Sequence, residues 1–199
     1  MTILPAAYLP SVEYFAHIMR GDCVIDLGEH FIKRSERNRA QILSPDGVMS
    51  LTVQVTRANR PRTPMHAMQI DYSKRWQHQH WTALRSYYAS SPYFDYYAPR
   101  FERFYTQEWR SLAEFNIELI RALCDCVSLP MPEISQTYIE ATEGDLDLRA
   151  KDSKDPTFVA EPYIQVFADR MPFVENLSFI DLLFCEGPAS RAVLKGCLR

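Results

Sequence analysis

The sequence predicts an α/β or mixed α+β fold: a small central sheet with packed helices, a helical middle section and a docked C-terminal segment. Three observations carry this. Short apolar runs alternate with stretches of helical periodicity along the chain. A Pro45-Asp46-Gly47 turn sits between two strand-like runs, the second alternating Met49, Leu51, Val53 and Val55 with smaller or polar residues. Helix-start signals stand at Ser11 and at Ser111, the latter with Glu114 in a Ser-x-x-Glu capping box.

Residues 2–8 are apolar and short and read as the first strand. Ser11 then caps a helix on which Val12, Phe15 and Met19 share a face, and Gly21 ends it. Residues 23–26 read as a buried second strand. Residues 31–43 are polar and basic, a loop leading into the hairpin whose second strand is 48–55. A basic loop with two prolines is expected at 57–64 and a short strand at 67–72. Helices follow at 74–89, 93–104 and 111–127, the last broken by Pro130-Met131-Pro132. A strand is expected at 134–139. Residues 143–156 are charged and nearly free of large apolar side chains, which predicts a flexible loop. In the C-terminal segment, 157–199, an extended stretch at 163–167 and an apolar helix at 177–184 are expected. The chain is read as one domain over 1–199.

Composition excludes several function classes. The 199 residues carry 22 Lys+Arg against 25 Asp+Glu, a formal charge of -3, so the basic surplus of a general nucleic-acid binder is absent. No apolar run is long enough for a membrane-spanning helix, and the first residues lack the pattern of a signal peptide. Five scattered Cys make an odd number and read as reduced thiols of a cytoplasmic protein. Cys124 and Cys126 lie two apart on a helix, so their side chains diverge, and no metal site is expected. There is no nucleotide-binding glycine loop and no nucleophile motif.

Four features could carry chemistry. The run from Glu29 and His30 to Arg39 holds four basic side chains, Lys33, Arg34, Arg37 and Arg39, beyond the end of a predicted strand. Guanidinium groups grip phosphate or carboxylate through paired hydrogen bonds, and α/β folds bind ligands at strand ends. The alternative is a solvated charged loop. His80 shares a helical face with Trp76 and is either a general base or a core imidazole satisfied by a neighbour. Six of the eleven residues at 87–97 are aromatic, which suits a sugar or protein surface as well as a helical core. Glu13, Asp22, Asp26 and Glu29 form an acidic set that could orient Lys33, bind a cation or simply make salt bridges.

The order of several short motifs resembles the WbqC-like protein family. They are Leu4-Pro5 with Tyr8-Leu9-Pro10 and Glu13-Tyr14-Phe15, then Glu29-His30, Ile32-Lys33 and Arg37-Asn38-Arg39. Ile70-Asp71-Tyr72, Trp76 with His80-Trp81, Ser91-Pro92-Tyr93-Phe94 with Tyr97, and Phe115-Asn116 match its middle. Gln165-Val166-Phe167, Asn176-Leu177-Ser178, Asp181-Leu182-Leu183-Phe184 and Gly187-Pro188 are similar to a Bacteroidetes-type branch. The resemblance implies a cytoplasmic bacterial protein of surface-polysaccharide or amino-sugar metabolism, with acyl or aminoacyl transfer to a nucleotide-linked sugar as the suggested reaction. Many relatives carry Gln-Pro at the opening and Asp and Gln in the segment matching Glu29-His30, so this chain departs there. The expected site has His30, His80 and Glu29 as catalytic groups. Lys33, Arg37, Asn38, Arg39, Tyr8 and Tyr14 would bind a substrate bearing phosphate or carboxylate. No cofactor is specified, no nucleic acid or membrane insertion is expected, and self-association is left open. The competing reading is a non-catalytic binding or assembly protein that presents its aromatic helices.

Overall fold

The computed structural model describes residues 1–56 and 62–198. In chain order its elements are β1 (Thr2–Pro5), α1 (Val12–Arg20), β2 (Cys23–Asp26), β3 (Arg39–Ser44), β4 (Gly47–Thr52), α2 (Trp76–Tyr88), α3 (Phe94–Phe101), α4 (Arg103–Thr106), α5 (Leu112–Cys126), β5 (Glu133–Ser135), β6 (Leu146–Asp147), α6 (Phe179–Glu186) and α7 (Ser190–Gly196). Single 3-10 turns lie at Met65–Ala67 and Gly187–Ala189. The fold is mixed α/β, as the sequence predicts.

The central sheet has the order β5-β2-β1-β6, and every neighbouring pair is parallel. β1 is buried along its whole length, which explains why it reads as an unbroken apolar run without alternation. Pro5 sits at its last position, opposite Asp26, where the missing N–H interrupts no further ladder. α1 connects β1 to β2. Ser11 caps it by accepting from the Tyr14 N–H at 3.4 Å, and Gly21 ends it at φ 86°, a conformation that costs glycine nothing. α1 is buried on all sides from Val12 to Ile18, so Glu13 and His17 must find partners inside the protein.

β3 and β4 form the predicted hairpin, registered from Arg39 opposite Thr52 to Ser44 opposite Gly47. Pro45 presets the turn, and Gly47 takes φ 112° at its exit. α2 to α5 make the helical middle section. Its core is aromatic: Trp76 meets Phe115 edge-on at 5.7 Å, and Phe104 stacks on Trp109 at 5.1 Å. The C-terminal segment docks through α6. Phe179 stacks on Phe15 at 4.0 Å, and Phe184 packs among Tyr88, Phe94 and Phe101. Among the described residues no helix is long and apolar enough to cross a membrane.

Several expectations are corrected. Residues 67–72 form no strand. Their neighbourhood holds a 3-10 turn and one isolated bridge, Val55 to Ile70, because single backbone bonds to Glu29, Gln54 and Thr56 replace a ladder. The strand expected at 134–139 stops at Ser135, and residues 137–138 then cross Gly28 so closely that a Cβ there would meet the Tyr138 nitrogen at 1.9 Å. The helix expected at 93–104 divides into α3 and α4 just after Pro99, which cannot donate to the turn before it. Residues 143–156 carry the edge strand β6 and the buried side chains of Arg149 and Asp155. The basic loop expected at 57–64 lies partly outside the described residues.

Candidate functional site

From β1 the chain turns through α1 to β2 on one side, while β6 lies on the other side of β1. The crevice beyond the carboxyl ends of β1 and β6 is therefore the switch point of the sheet, where open parallel sheets place ligands. It holds a recess enclosing roughly 520 Å³ of space between protein atoms and open to solvent. The end of β1, the start of α1, residues 35–37 and a strap at 148–153 form its walls. A second, smaller recess of about 270 Å³ adjoins it, bordered by Tyr8, Arg39, Gln41 and Asn176. Ser11 and Glu36 belong to both.

The walls are held by a buried polar junction. Arg37 donates from Nε to Glu29 Oε1 at 3.0 Å and from Nη2 to Glu29 Oε2, and also reaches Ser35 Oγ and the Arg149 carbonyl. Arg149 donates to Asp26 Oδ2 and, from Nε and Nη2, to both oxygens of Asp147, with its guanidinium 4.4 Å over the Tyr138 ring. Asp26 also accepts from the N–H groups of Gly28 and Ile139. Asn116, fully buried, donates to the carbonyls of Ala6 and Arg37 and so ties the tail of β1 to the 29–39 segment. The Tyr8 N–H donates to the Glu36 carbonyl at 2.8 Å.

The strap is fixed at both ends. Arg149 anchors one end. At the other, the Asp155 N–H donates to Glu13 Oε1 at 2.6 Å, and Asp155 Oδ2 lies 3.4 Å from His17 Nε2 without the alignment of a hydrogen bond. Between them Lys151 and Asp152 are exposed, and Asp152 has φ 63°. Leu9 at φ 41° and Asn176 at φ 54° border the smaller recess. Backbone held this way in non-glycine residues is costly and collects at functional sites.

The start of α1, a usual anion site, is already satisfied. The Val12 N–H donates to the Leu177 carbonyl, the Glu13 N–H to Asn176 Oδ1 and the Tyr14 N–H to Ser11 Oγ. The larger recess carries three carboxyls, Glu13, Glu36 and Asp152, and two cations, Lys151 and the Glu29-paired Arg37, on its walls. Glu13 is engaged by Asp155 and Asn176, and burial raises its pKa. The Glu36 carboxyl makes no hydrogen bond among the described residues. Glu36 is exposed at the mouth of the recess, with neighbouring protein around its carboxyl. Burial pushes its pKa up to about 7, with Glu13 and Asp152 adding repulsion and Arg37 opposing them.

The expected site residues divide into groups. Tyr14 and Arg37 border the larger recess, and Tyr8 and Arg39 the smaller. Tyr14 donates to the Pro5 carbonyl at 2.8 Å, and Arg37 is taken up by Glu29, itself buried behind the wall. Burial raises the Glu29 pKa against the pull of Arg37. Asn38 donates to the Val53 carbonyl and locks the base of the hairpin. His30 and Lys33 are exposed and border neither recess. His80 is buried, with Nδ1 2.9 Å from the Tyr8 hydroxyl, which also meets the Tyr105 hydroxyl at 3.0 Å. Its ring also bonds the Thr52 backbone, and burial lowers its pKa to about 4. It is a neutral core imidazole. The aromatics at 87–97 are mostly core: Tyr88, Phe94 and Tyr97 are buried and Tyr96 is exposed.

Sequence reasoning missed Glu36, Arg149 and Asp155. Glu36 lies inside the highlighted basic run, but only the fold shows that it faces a recess. Among the described residues, no three or more His, Cys, Asp or Glu side chains are grouped to hold a metal ion. No curated protein and no solved structure matches the chain. The model of the WbqC-like protein family matches residues 6–155, a span that includes the strap and the junction. With more than half of its length covered by that match, the chain belongs to the WbqC-like protein family.

Proposed function

We propose that the switch-point crevice is the substrate site of an enzyme of bacterial surface-polysaccharide or amino-sugar metabolism, and that Glu36 moves the proton. The observation that carries this reading is the Glu36 carboxyl: unpartnered and set where the two recesses at the switch point meet, with its pKa raised by its surroundings. A carboxylate with that pKa is a competent base near neutral pH. With Arg37 taken up by Glu29, the carboxyls on the walls outnumber the one remaining cation, Lys151, which favours a ligand with an ammonium group over one that is only anionic. Acyl or aminoacyl transfer to a sugar amine is the reaction class that fits. The amine nitrogen bonds to the acyl carbon, the bond from that carbon to its leaving group breaks, and the nitrogen's proton passes to a Glu36 oxygen.

In this reading Glu29 and Arg37 position the wall, Tyr14 holds the end of β1, and His80 takes no part in proton transfer. The site operates without Lys33. The test is an amide NMR titration with glucosamine and, separately, N-acetylglucosamine, above and below pH 7. The expected result is that glucosamine shifts Ser11, Glu36 and Ala150, that the acetylated sugar does so weakly, and that Glu36→Gln abolishes the difference. Equal responses in the parent and in Glu36→Gln would overturn it.

A further inference from the structure

The four cations of the 33–39 run have different fates. Lys33 and Arg34 are exposed. Arg37 is neutralised by Glu29. Arg39 opens β3, and its Nε is held by Thr52 Oγ1 at 3.3 Å across the hairpin. Its two terminal amino groups have no partner among the described residues, and the side chain borders the smaller recess.

Apart from the Glu36 carboxyl and the Gln41 amide nitrogen, the other side-chain polar groups of that recess are occupied. The Tyr8 hydroxyl bonds His80 and Tyr105. Asn176 gives its Nδ2 to Glu13 Oε2 and its Oδ1 to the Glu13 N–H. Gln41 Oε1 accepts from Ser50, and Ser178 Oγ accepts from the Ile180 N–H. Arg39 is thus an unfilled donor on a rigid frame, since the Ser178 N–H pins Gln41 through its carbonyl at 2.8 Å. The recess shares Glu36 and Ser11 with its larger neighbour, so whatever lies beside Arg39 also lies beside Glu36.

We propose that the smaller recess is an oxyanion subsite, in which Arg39 takes a carboxylate or phosphate while the larger recess holds an amine or hydroxyl at Glu36. This rests on the reading of the larger recess as a substrate site and extends it to a ligand set with one basic and one acidic end. A guanidinium with its Nε fixed presents its terminal amino groups in one plane, the geometry that matches two oxygens of a carboxylate or phosphate. The acidic end belongs either to the sugar itself, as a sugar phosphate, or to a second reactant.

The test titrates the parent, Arg39→Ala, Arg39→Lys and Glu36→Gln with inorganic phosphate, acetate, glucosamine and glucosamine 1-phosphate. Amide NMR and the Arg39 Nε signal report binding. Arg39→Ala is expected to weaken phosphate or acetate by about tenfold, as loss of a charge-assisted contact should, and to leave glucosamine unchanged. Arg39→Lys keeps the charge and recovers part of the binding, which separates recognition from folding. If the acidic end is on the sugar, glucosamine 1-phosphate binds the parent more tightly than glucosamine does, and Arg39→Ala erases the gain. If it belongs to a second reactant, glucosamine and the free anion bind together. Parent-like binding of both anions by Arg39→Ala, or no anion binding by the parent, overturns the subsite. Failure of glucosamine to bind, with anion binding at Arg39 intact, overturns the reading of the larger recess instead.

Discussion

The two faces of the 29–39 segment use the same side chains for opposite ends. On the inner face, Arg37 and Arg149 meet Glu29, Asp26 and Asp147, and each charge has an opposite charge against it. On the outer face, a carboxyl and a guanidinium, Glu36 and Arg39, border recesses with their reactive ends unpartnered. A buried junction of paired charges contributes little over an apolar core, but removing one partner leaves a bare charge behind. An unpaired carboxyl in a crowded recess does the reverse, opposing folding slightly and remaining available to a ligand. The inner face therefore holds the walls in place, and the outer face meets the substrate.

Breaking the inner face has the largest expected effect. Arg149→Ala strands the fully buried Asp26, and Arg37→Ala strands Glu29, so each is expected to cost about 3–5 kcal/mol in urea unfolding. A loss below about 1 kcal/mol would show that these charges are already solvated. Asn116→Ala removes two donors from the buried carbonyls of Ala6 and Arg37, and about 2 kcal/mol should go with it. Tyr8→Phe deletes the hydroxyl that joins His80 and Tyr105, at a cost of about 1 kcal/mol. It should leave glucosamine binding unchanged, and a loss of binding would return His80 to the site.

The outer face gives the smallest effect and the sharpest contrast. The Glu36 pKa is raised on folding, from 4.5 to about 7. The folded state therefore holds this proton more tightly, and stability from the group falls as pH rises through that window. Glu36→Gln should raise the melting temperature at pH 8, with the gain fading as the pH falls from about 7 to 4.5. His17, buried neutral with its pKa lowered to about 4, works in the opposite sense: its contribution is present above pH 6.5 and is lost as the pH falls toward that value.

Local signals fixed most of the architecture. Ser11 and Gly21 bracket α1, Pro45-Asp46-Gly47 turns the hairpin, and Ser111 starts α5, because caps and turns depend on neighbours in sequence. The site was less legible. Within the basic run, Arg37 and Arg39 cannot be told apart in sequence until the fold brings Glu29 and Thr52 against them. His80 drew attention as an imidazole beside an indole, and its environment proved to be core. Residues 143–156 look loop-like because their charges find partners far away in the chain, Arg149 at Asp26 and Asp155 at Glu13 and His17. Charge pairing at long range leaves no period in the sequence.

Glu36 is the hinge of the functional account, and its ionisation can be followed directly by carbon-13 NMR of labelled side-chain carboxyls across a pH titration. One glutamate signal, absent in Glu36→Gln, is expected to titrate near 7 and to move when glucosamine is added. A Glu36 signal that titrates at the ordinary 4.5 and ignores the sugar would contradict it.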